Sequence, residues 1–384
     1  MMKTMLIGVA VMSLGALAFS APPAAVPSKQ IETVATFNGP MPTGVTVSHS
    51  GRIFVNFPRW GDPVTYTVAE LKKGQTVAFP DMAMNQLDTN RQADTLVSVQ
   101  SVVVDPKDRL WILDTGSIKF GPTQYGGPKL IGVDLATNKV FKKILFPQDV
   151  ALPTTYLNDV RFDLRKGTAG MAFITDSSDK GPNGIIVVDL DTGKSWRRLS
   201  DHPSTKAEPN FKPVVEGQPL MHRKPGQPPQ PIKNGSDGIA IDPEGKRLYY
   251  CPLGGRHLFS VSLEALEDPT RSETEVATTV VDEGDKIGAS DGLESDAQGN
   301  IYATDYEHRA IRRRAPVAGS AFTVLVTDPR IVWPDTLSVA TDGYLYFTNN
   351  QLNRQADYHN GRDMRVKPYQ LFRVRIDAQP AALR

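Results

Sequence analysis

The sequence has a single cysteine, Cys251, among its 384 residues. An internal disulfide is thereby excluded, and the fold must be held by packing and hydrogen bonds. Cys251 sits in the apolar run LYYCPL and reads as a small buried residue with no activating group beside it. Charge of one sign is also missing: 43 Lys and Arg stand against 42 Asp and Glu. That balance removes the electrostatic footprint of a nucleic-acid or anionic-membrane binder. The one basic run, Arg312-Arg313-Arg314, is short and is expected on a solvated strand face. Neither a G-x-x-x-x-G-K-[ST] nor a G-x-G-x-x-G pattern occurs, so nothing marks a nucleotide site. None of His49, His202, His222, His257, His308 and His359 stands at H-E-x-x-H spacing. GASDG (Gly288–Gly292) matches G-x-S-x-G but leads into a strand, so Ser290 lacks the strand-to-helix elbow of a hydrolase nucleophile.

What is present begins with an export signal. Lys3 is followed by an apolar stretch, Met5–Phe19, and Ala18 and Ser20 are placed for cleavage before Ala21. Residues 1–20 are therefore expected to be a signal peptide, 21–30 a linker, and 31–384 one domain of a secreted or periplasmic protein. Beyond the signal no apolar run is long enough to span a bilayer.

The rest is repetition. Gly44–Phe57, Ser101–Gly116, Asp159–Asp176, Asp237–Pro252, Ser290–Asp305 and Asp335–Asn350 each read as one hairpin: a short apolar strand, a turn rich in Asp, Gly, Pro or Lys, and a second strand ending in a small or polar residue. A third and fourth strand follow most of them, clearly in Lys129–Phe146 and Gly184–Ser200. Six units of four antiparallel strands predict an all-β, six-bladed β-propeller, because one such sheet cannot bury both faces alone. LFRVRI (Leu371–Ile376) is a third strand without a fourth, and ETVATF (Glu32–Phe37) can supply it and close the ring.

Turns between strands one and two are short, and their acids Asp105, Asp242 and Asp296 read as turn formers. The long segments, Asp81–Gln100, Thr115–Pro128, the Pro-rich Asp201–Gly235 and Asn349–Gln370, all belong to the opposite face. Long loops on a rigid scaffold are where binding is usually built. That face also holds the entries to the inner strands: Asn158, Asp159, Asp237, Asp291 and Asp335. A ring of carboxylate and amide oxygens at a channel mouth is either a hard-cation site or a set of satisfied caps, since crowded like charges need a cation, a shared proton or donors. Glu294 is open between channel lining and a buried pair. His308, after a second strand on the loop-rich face, is a candidate ligand contact.

FPRWGDPVTYT (Phe57–Thr67), DRLWILDTG (Asp108–Gly116), YLNDVRFD (Tyr156–Asp163), DGIAIDPEGKRLYYCPL and WPDTLSVATDGYLYFTNNQLN (Trp333–Asn353) together resemble the Yellow/major royal jelly protein family. The resemblance runs in order over nearly the whole mature chain. It implies a secreted six-bladed propeller, with dopachrome conversion or binding of small amines as the associated activities. The paired cysteines of many animal members are absent. A more distant similarity is to SMP-30/gluconolactonase propellers, whose divalent ion sits at the channel mouth on a Glu, an Asn and an Asp. Asn158 and Asp291 match the amide and carboxylate positions, Asp237 replaces another amide, and Thr43 stands where the glutamate is expected.

The reading that follows is a propeller that binds, and in the tautomerase case converts, a small polar or aromatic molecule at its mouth. Asp237 or Asp291 would be the base. Phe57, Asn158, Asp159, His308, Trp333, Asp335, Asn349 and Asn350 are the expected ligand contacts. Asn158, Asp237 and Asp291 are the expected ligands if a cation such as Ca²⁺ is bound. A metal-dependent lactonase and a non-catalytic amine or phenol binder remain open beside the isomerase.

Overall fold

The computed structural model describes residues 30–383; the expected signal peptide and nearly all of the linker lie outside them. Twenty-four strands form six four-stranded antiparallel sheets. Their inner strands are Val45–Val47, Val99–Val104, Leu157–Asp163, Ser236–Ile241, Leu293–Ser295 and Pro334–Val339. Each inner strand touches the next in cyclic order, and the sixth touches the first, which closes a ring of six blades. In the sixth blade the strands Pro334–Val339, Tyr344–Asn349 and Tyr369–Arg375 are followed outward by Ile31–Phe37, paired with Tyr369–Arg375.

Burial explains the sequence pattern of each blade. In the third, every residue of Leu157–Asp163 and Met171–Asp176 is buried, whereas the outer Ser195–Arg198 is mostly half-exposed. Strands with a neighbouring blade on both faces are buried throughout, and the middle ones, Met171–Asp176 and Gly184–Asp189, read as nearly continuous apolar runs. The cores accordingly lie between blades. Trp111 and Leu130 of the second blade pack with Leu157, Phe162, Ile174 and Ile186 of the third, and Trp111 stacks on Phe162 at 5.3 Å.

The turn acids act as expected and do more. Asp105 accepts from the Lys107 and Arg109 amides at 2.9 and 3.1 Å and from the Trp111 indole at 2.8 Å. Asp296 accepts from the Gln298 and Asn300 amides at 3.0 and 2.9 Å and from the Tyr302 hydroxyl at 2.8 Å. Each ties a turn to the aromatic body of the strand that follows.

The basic run departs from expectation. Only Arg313 faces solvent; Arg312 and Arg314 are buried and pair with Asp305 at 2.6 Å and Glu283 at 2.7 Å. Strand alternation sends residues 312 and 314 the same way, and a carboxylate waits for each. Among the described residues no helix is long and apolar enough to cross a membrane.

Two features frame the channel. The Pro-rich segment 201–235 is ordered into the small hairpins Val214–Val215/Gln218–Pro219 and Met221–His222/Gln230–Pro231. It is clasped to the 349–370 loop: the Arg223 amide donates to the Asp357 carbonyl at 2.7 Å, and the Asn360 amide to the Arg223 carbonyl at 2.8 Å. At the other end, the C-terminal segment spans from the fifth blade to the third. The Ala297 amide donates to the Gln379 carbonyl at 2.8 Å and the Leu164 amide to the Leu383 carbonyl at 2.9 Å, with Leu383 buried against Ile241.

Candidate functional site at the channel mouth

The site grows from a defect repeated at the start of the inner strands. Pairing with the second strand slips between Val99 and Ser101, Leu157 and Val160, Ser236 and Ile239, and Pro334 and Leu337. A bulge re-aims side chains. The residues it displaces include Gln100, Asn158, Asp159, Asp237 and Asp335.

In the third, fifth and sixth blades a second-strand threonine holds the inner-strand entry. Thr175 Oγ1 accepts from the Asp159 amide at 3.3 Å and donates to the Asp237 carbonyl at 2.6 Å. Thr304 Oγ1 accepts from the Asp291 and Gly292 amides at 2.9 and 3.1 Å. Thr348 Oγ1 accepts from the Thr336 amide at 3.2 Å and donates to the Thr43 carbonyl. The threonine thus fixes the entry of its own blade, and in the third and sixth blades also grips the next.

The glycine of each Asp-Gly pair sets the spacing between acids. A Cβ on Gly238 would stand 2.5 Å from the Asp291 carbonyl oxygen, and one on Gly292 2.3 Å from the Asp335 carbonyl oxygen. Only a residue without a side chain lets these backbones approach so closely. Three aspartates from the fourth, fifth and sixth blades therefore share one floor with Asn158 of the third.

The floor is a proton-sharing cluster. Asn158 Nδ2 donates to Asp237 Oδ1, and Asp237 donates in turn to Asp291. Trp333 Nε1 donates to Asp291 Oδ2 at 2.6 Å, and Asn350 Nδ2 donates to Asp335 Oδ2 at 2.6 Å. Burial, then the neighbouring Asp291, pushes the Asp237 carboxyl well above the usual range. Burial and Asp291 do the same to Asp335. Asp291 is raised by burial only to about 6, because the Trp333 indole and the Asp237 proton stabilise its charged form. Near neutral pH the pair thus consists of a protonated Asp237 beside a carboxylate, Asp291.

Above the floor lies a cavity of about 250 Å³. One wall is aromatic and continuous: Trp60 stacks on Phe120 at 5.2 Å, Phe120 lies 5.0 Å from Tyr156, and Trp60 Nε1 donates to the Tyr156 hydroxyl at 2.7 Å. The facing wall is His222 of the Pro-rich loop stacked at 4.8 Å on Tyr358 of the 349–370 loop. Lys119, Lys180 and Lys224 line the cavity with Asp179 and Asp357.

Of the residues expected from the sequence, Asn158, Asp237, Asp291 and Asp335 come together and line this cavity. The others do not line it. Asp159 turns down the channel to accept from Ser101 Oγ at 2.6 Å and Arg161 Nη1 at 2.9 Å. Phe57 is buried against Phe37 in the core. Trp333 is fully buried, stacked on Tyr306 at 4.1 Å, and reaches the site only through Asp291. Asn349 accepts from the Val332 and Trp333 amides at 2.8 and 3.2 Å. Asn350 acts through Asp335. His308 is exposed and held by Asp305 at 2.9 Å. Glu294 is half-buried, lining the chamber below the floor and lying 3.4 Å from Arg161.

The aromatic walls have no counterpart in the sequence reading. Trp60, Phe120, Tyr156, His222 and Tyr358 fall in separate connecting segments or at a strand entry, with no shared spacing. The one available signal is that three of them lie in or beside the long mouth-face loops.

Thr43, at the position where a glutamate was expected, donates to the Gln100 carbonyl at 3.2 Å and does not line the cavity. The floor offers only hard oxygen donors, a set that suits Ca²⁺. Among the described residues, however, no three His, Cys, Asp or Glu side chains are grouped as a metal centre.

Comparison with known proteins agrees with the architecture. Protein yellow of Drosophila subobscura is 30% identical over 273 residues, 65% of this chain and 45% of the relative. Protein yellow of Drosophila melanogaster is 29% identical over 250 residues, 60% of this chain and 42% of the relative. The match thus spans less than half the length of these curated relatives. Among solved structures, the calcium-binding protein regucalcin from Agrobacterium tumefaciens superposes with a TM-score of 0.54 at 15% identity, covering 91% of this chain and 95% of that one. A gluconolactonase from Xanthomonas campestris gives 0.52 at 11% identity, with 92% of each chain covered. At such identities the likeness is one of fold. The sequence profile described as "Major royal jelly protein" matches residues 97–379. The chain belongs to the major royal jelly protein family.

Proposed function

We propose that the mouth cavity binds a small aromatic molecule with its amine-bearing end on the acid floor, and that the Asp237–Asp291 pair isomerises a ligand carrying an acidic C–H beside a carbonyl. The carrying observation is that two stacked aromatic walls enclose a floor on which the Asp291 carboxylate lies beside the protonated Asp237. Aromatic faces attract a cationic amine as well as a flat ring. In the isomerisation the Asp291 carboxylate takes the carbon-bound proton and Asp237 gives its own to the carbonyl oxygen. The C–H bond breaks, an O–H bond forms, and the proton then passes from Asp291 to Asp237 along their hydrogen bond. Calorimetry with an aromatic amine, beside spectrophotometric loss of dopachrome, tests both halves. Binding that disappears in Asp291→Asn and conversion lost in Asp237→Asn and Asp291→Asn are expected. Binding without turnover would remove the isomerase, and no binding would remove the whole reading.

The oxygen-only floor favours a second reading, a divalent cation seated by Asn158, Asp237 and Asp291 as in a lactonase. A carboxylate crowded by two carboxyls that hold their protons, with no counter-ion, is also what a cation would relieve. Such an ion polarises a carbonyl and acidifies bound water. Asp237 would give up its proton, and Asn158 would turn its amide oxygen inward. A rise in thermal midpoint with Ca²⁺, together with lactone hydrolysis abolished by a chelator, would establish this reading in place of the first.

A further inference from the structure

We infer that His222 is the specificity-determining residue of the cavity, the group that hydrogen-bonds a polar substituent on the ring of the bound aromatic molecule; this rests on the aromatic-amine reading above. His222 lies far in sequence from the floor and is carried there by the Met221–His222/Gln230–Pro231 hairpin. Its ring lies nearly parallel to Tyr358, at an interplanar angle of 21°. The clasp between Arg223 and the 357–360 backbone fixes the residue next to it. The ring is therefore held in place by stacking and by the backbone.

Its polar atoms are not used by the protein. Nδ1 is buried with no hydrogen-bond partner. Of the histidines with a described environment, His202 spends its Nδ1 on Ser204, His257 on Asp282 and His308 on Asp305, and His359 spends its Nε2 on the Asn353 carbonyl. His222 is the one set in a cavity wall with a buried ring nitrogen left over. A polar atom in such a place calls for a partner, and the cavity is where one arrives. Burial and the neighbouring Lys224 lower its proton affinity, so the ring stays neutral and does not repel an amine on the floor.

The geometry gives the ligand two polar ends. The amine meets Asp291, the ring lies between the walls, and a ring hydroxyl or ring N–H reaches His222. Neighbouring Lys224 does not substitute for it, being paired with Asp357 at 3.2 Å.

The test is calorimetry of the full chain with phenethylamine and with tyramine, which differ only by a ring hydroxyl. The wild type should prefer tyramine by about tenfold, the worth of one good hydrogen bond. His222→Phe keeps a flat ring for Tyr358 but has no nitrogen. It should lose the preference, binding tyramine and phenethylamine within about twofold of each other. His222→Gln should restore part of it, which guards against a fold defect in the Phe variant. A preference that survives in His222→Phe, or no preference in the wild type, would overturn the assignment while leaving the aromatic-amine reading intact. If neither amine binds the wild type, that reading fails and the assignment falls with it.

Discussion

Asp291 shows what a buried acid floor costs a fold. Its carboxyl is buried and its pKa is raised to about 6, against 3.8 ordinarily. A raised acid contributes stability below its unfolded value and loses that contribution as pH climbs through the folded one. The wild type should therefore weaken between about pH 4 and pH 7, by up to about 3 kcal/mol from this group alone. Asp291→Asn keeps an acceptor for the Trp333 indole and carries no charge. Its thermal midpoint should exceed that of the wild type by several degrees at pH 8 and match it at pH 4, while amine binding is lost. Equal midpoints at both values would mean that the carboxyl is not desolvated as described. The same residue shows how far single positions could be read in advance. Asp237, Asp291 and Asp335 announced themselves as acids at inner-strand entries. Trp333 and Phe57 occupy comparable entry and exit positions, yet they face into the cores. Which side of the backbone a bulky ring takes is decided by the neighbouring blade, and that is not written locally.

Within a blade, the last residue of the second strand closes the loop that enters the first. Asp114 accepts from the Val97 and Ser98 amides at 2.7 and 2.9 Å, and Asp176 accepts from the Tyr156 amide at 2.9 Å. Asn349 does the same work in the sixth blade without a charge. Where this residue is an aspartate, an outer strand supplies a cation: Lys129 reaches Asp114 at 2.7 Å, Arg197 reaches Asp176 at 3.0 Å, and Arg312 reaches Asp305 at 2.6 Å. Lys129 and Asp114 are both fully buried, so removing one partner strands the other's charge. Lys129→Met should cost about 3–5 kcal/mol in denaturant unfolding, and the double variant Asp114→Asn/Lys129→Met should recover much of it. Additive losses would show that the pair is not coupled. The hairpins were legible because alternation and turn chemistry repeat six times. The bulges, the threonines that hold them and the cations behind the caps were not, because each joins residues from different strands or blades. The T-D and T-N pairs at 175–176, 304–305 and 348–349 were visible as a repeat, but only the register shows what the threonine does.

At the scale of the whole ring, the site belongs to no single blade. Asn158, Asp237, Asp291 and Asp335 come from four of them, and the walls come from loops within the first, second and sixth blades, the entry to the third and the connection from the third to the fourth. Strand Ile31–Phe37 touches none of these residues, yet it covers Leu371, Phe372 and Val374 of the strand beside it. Deleting residues 31–37 should lower the thermal midpoint and abolish amine binding together. Binding retained in a destabilised ring would show that the floor is preserved locally.

The channel also has a direction. Arg161 crosses it below the floor, donating to Asp159 at 2.9 Å and to the Leu293 carbonyl at 2.7 Å. The chamber beyond, bounded by Pro380 and Ala381 of the C-terminal segment, shares no lining residue with the cavity above. A guest bound as proposed would lie between Arg161 on one side and, on the other, the clasped loops that carry His222 and Tyr358. On that reading, residence time would be set by how often two surface loops part company.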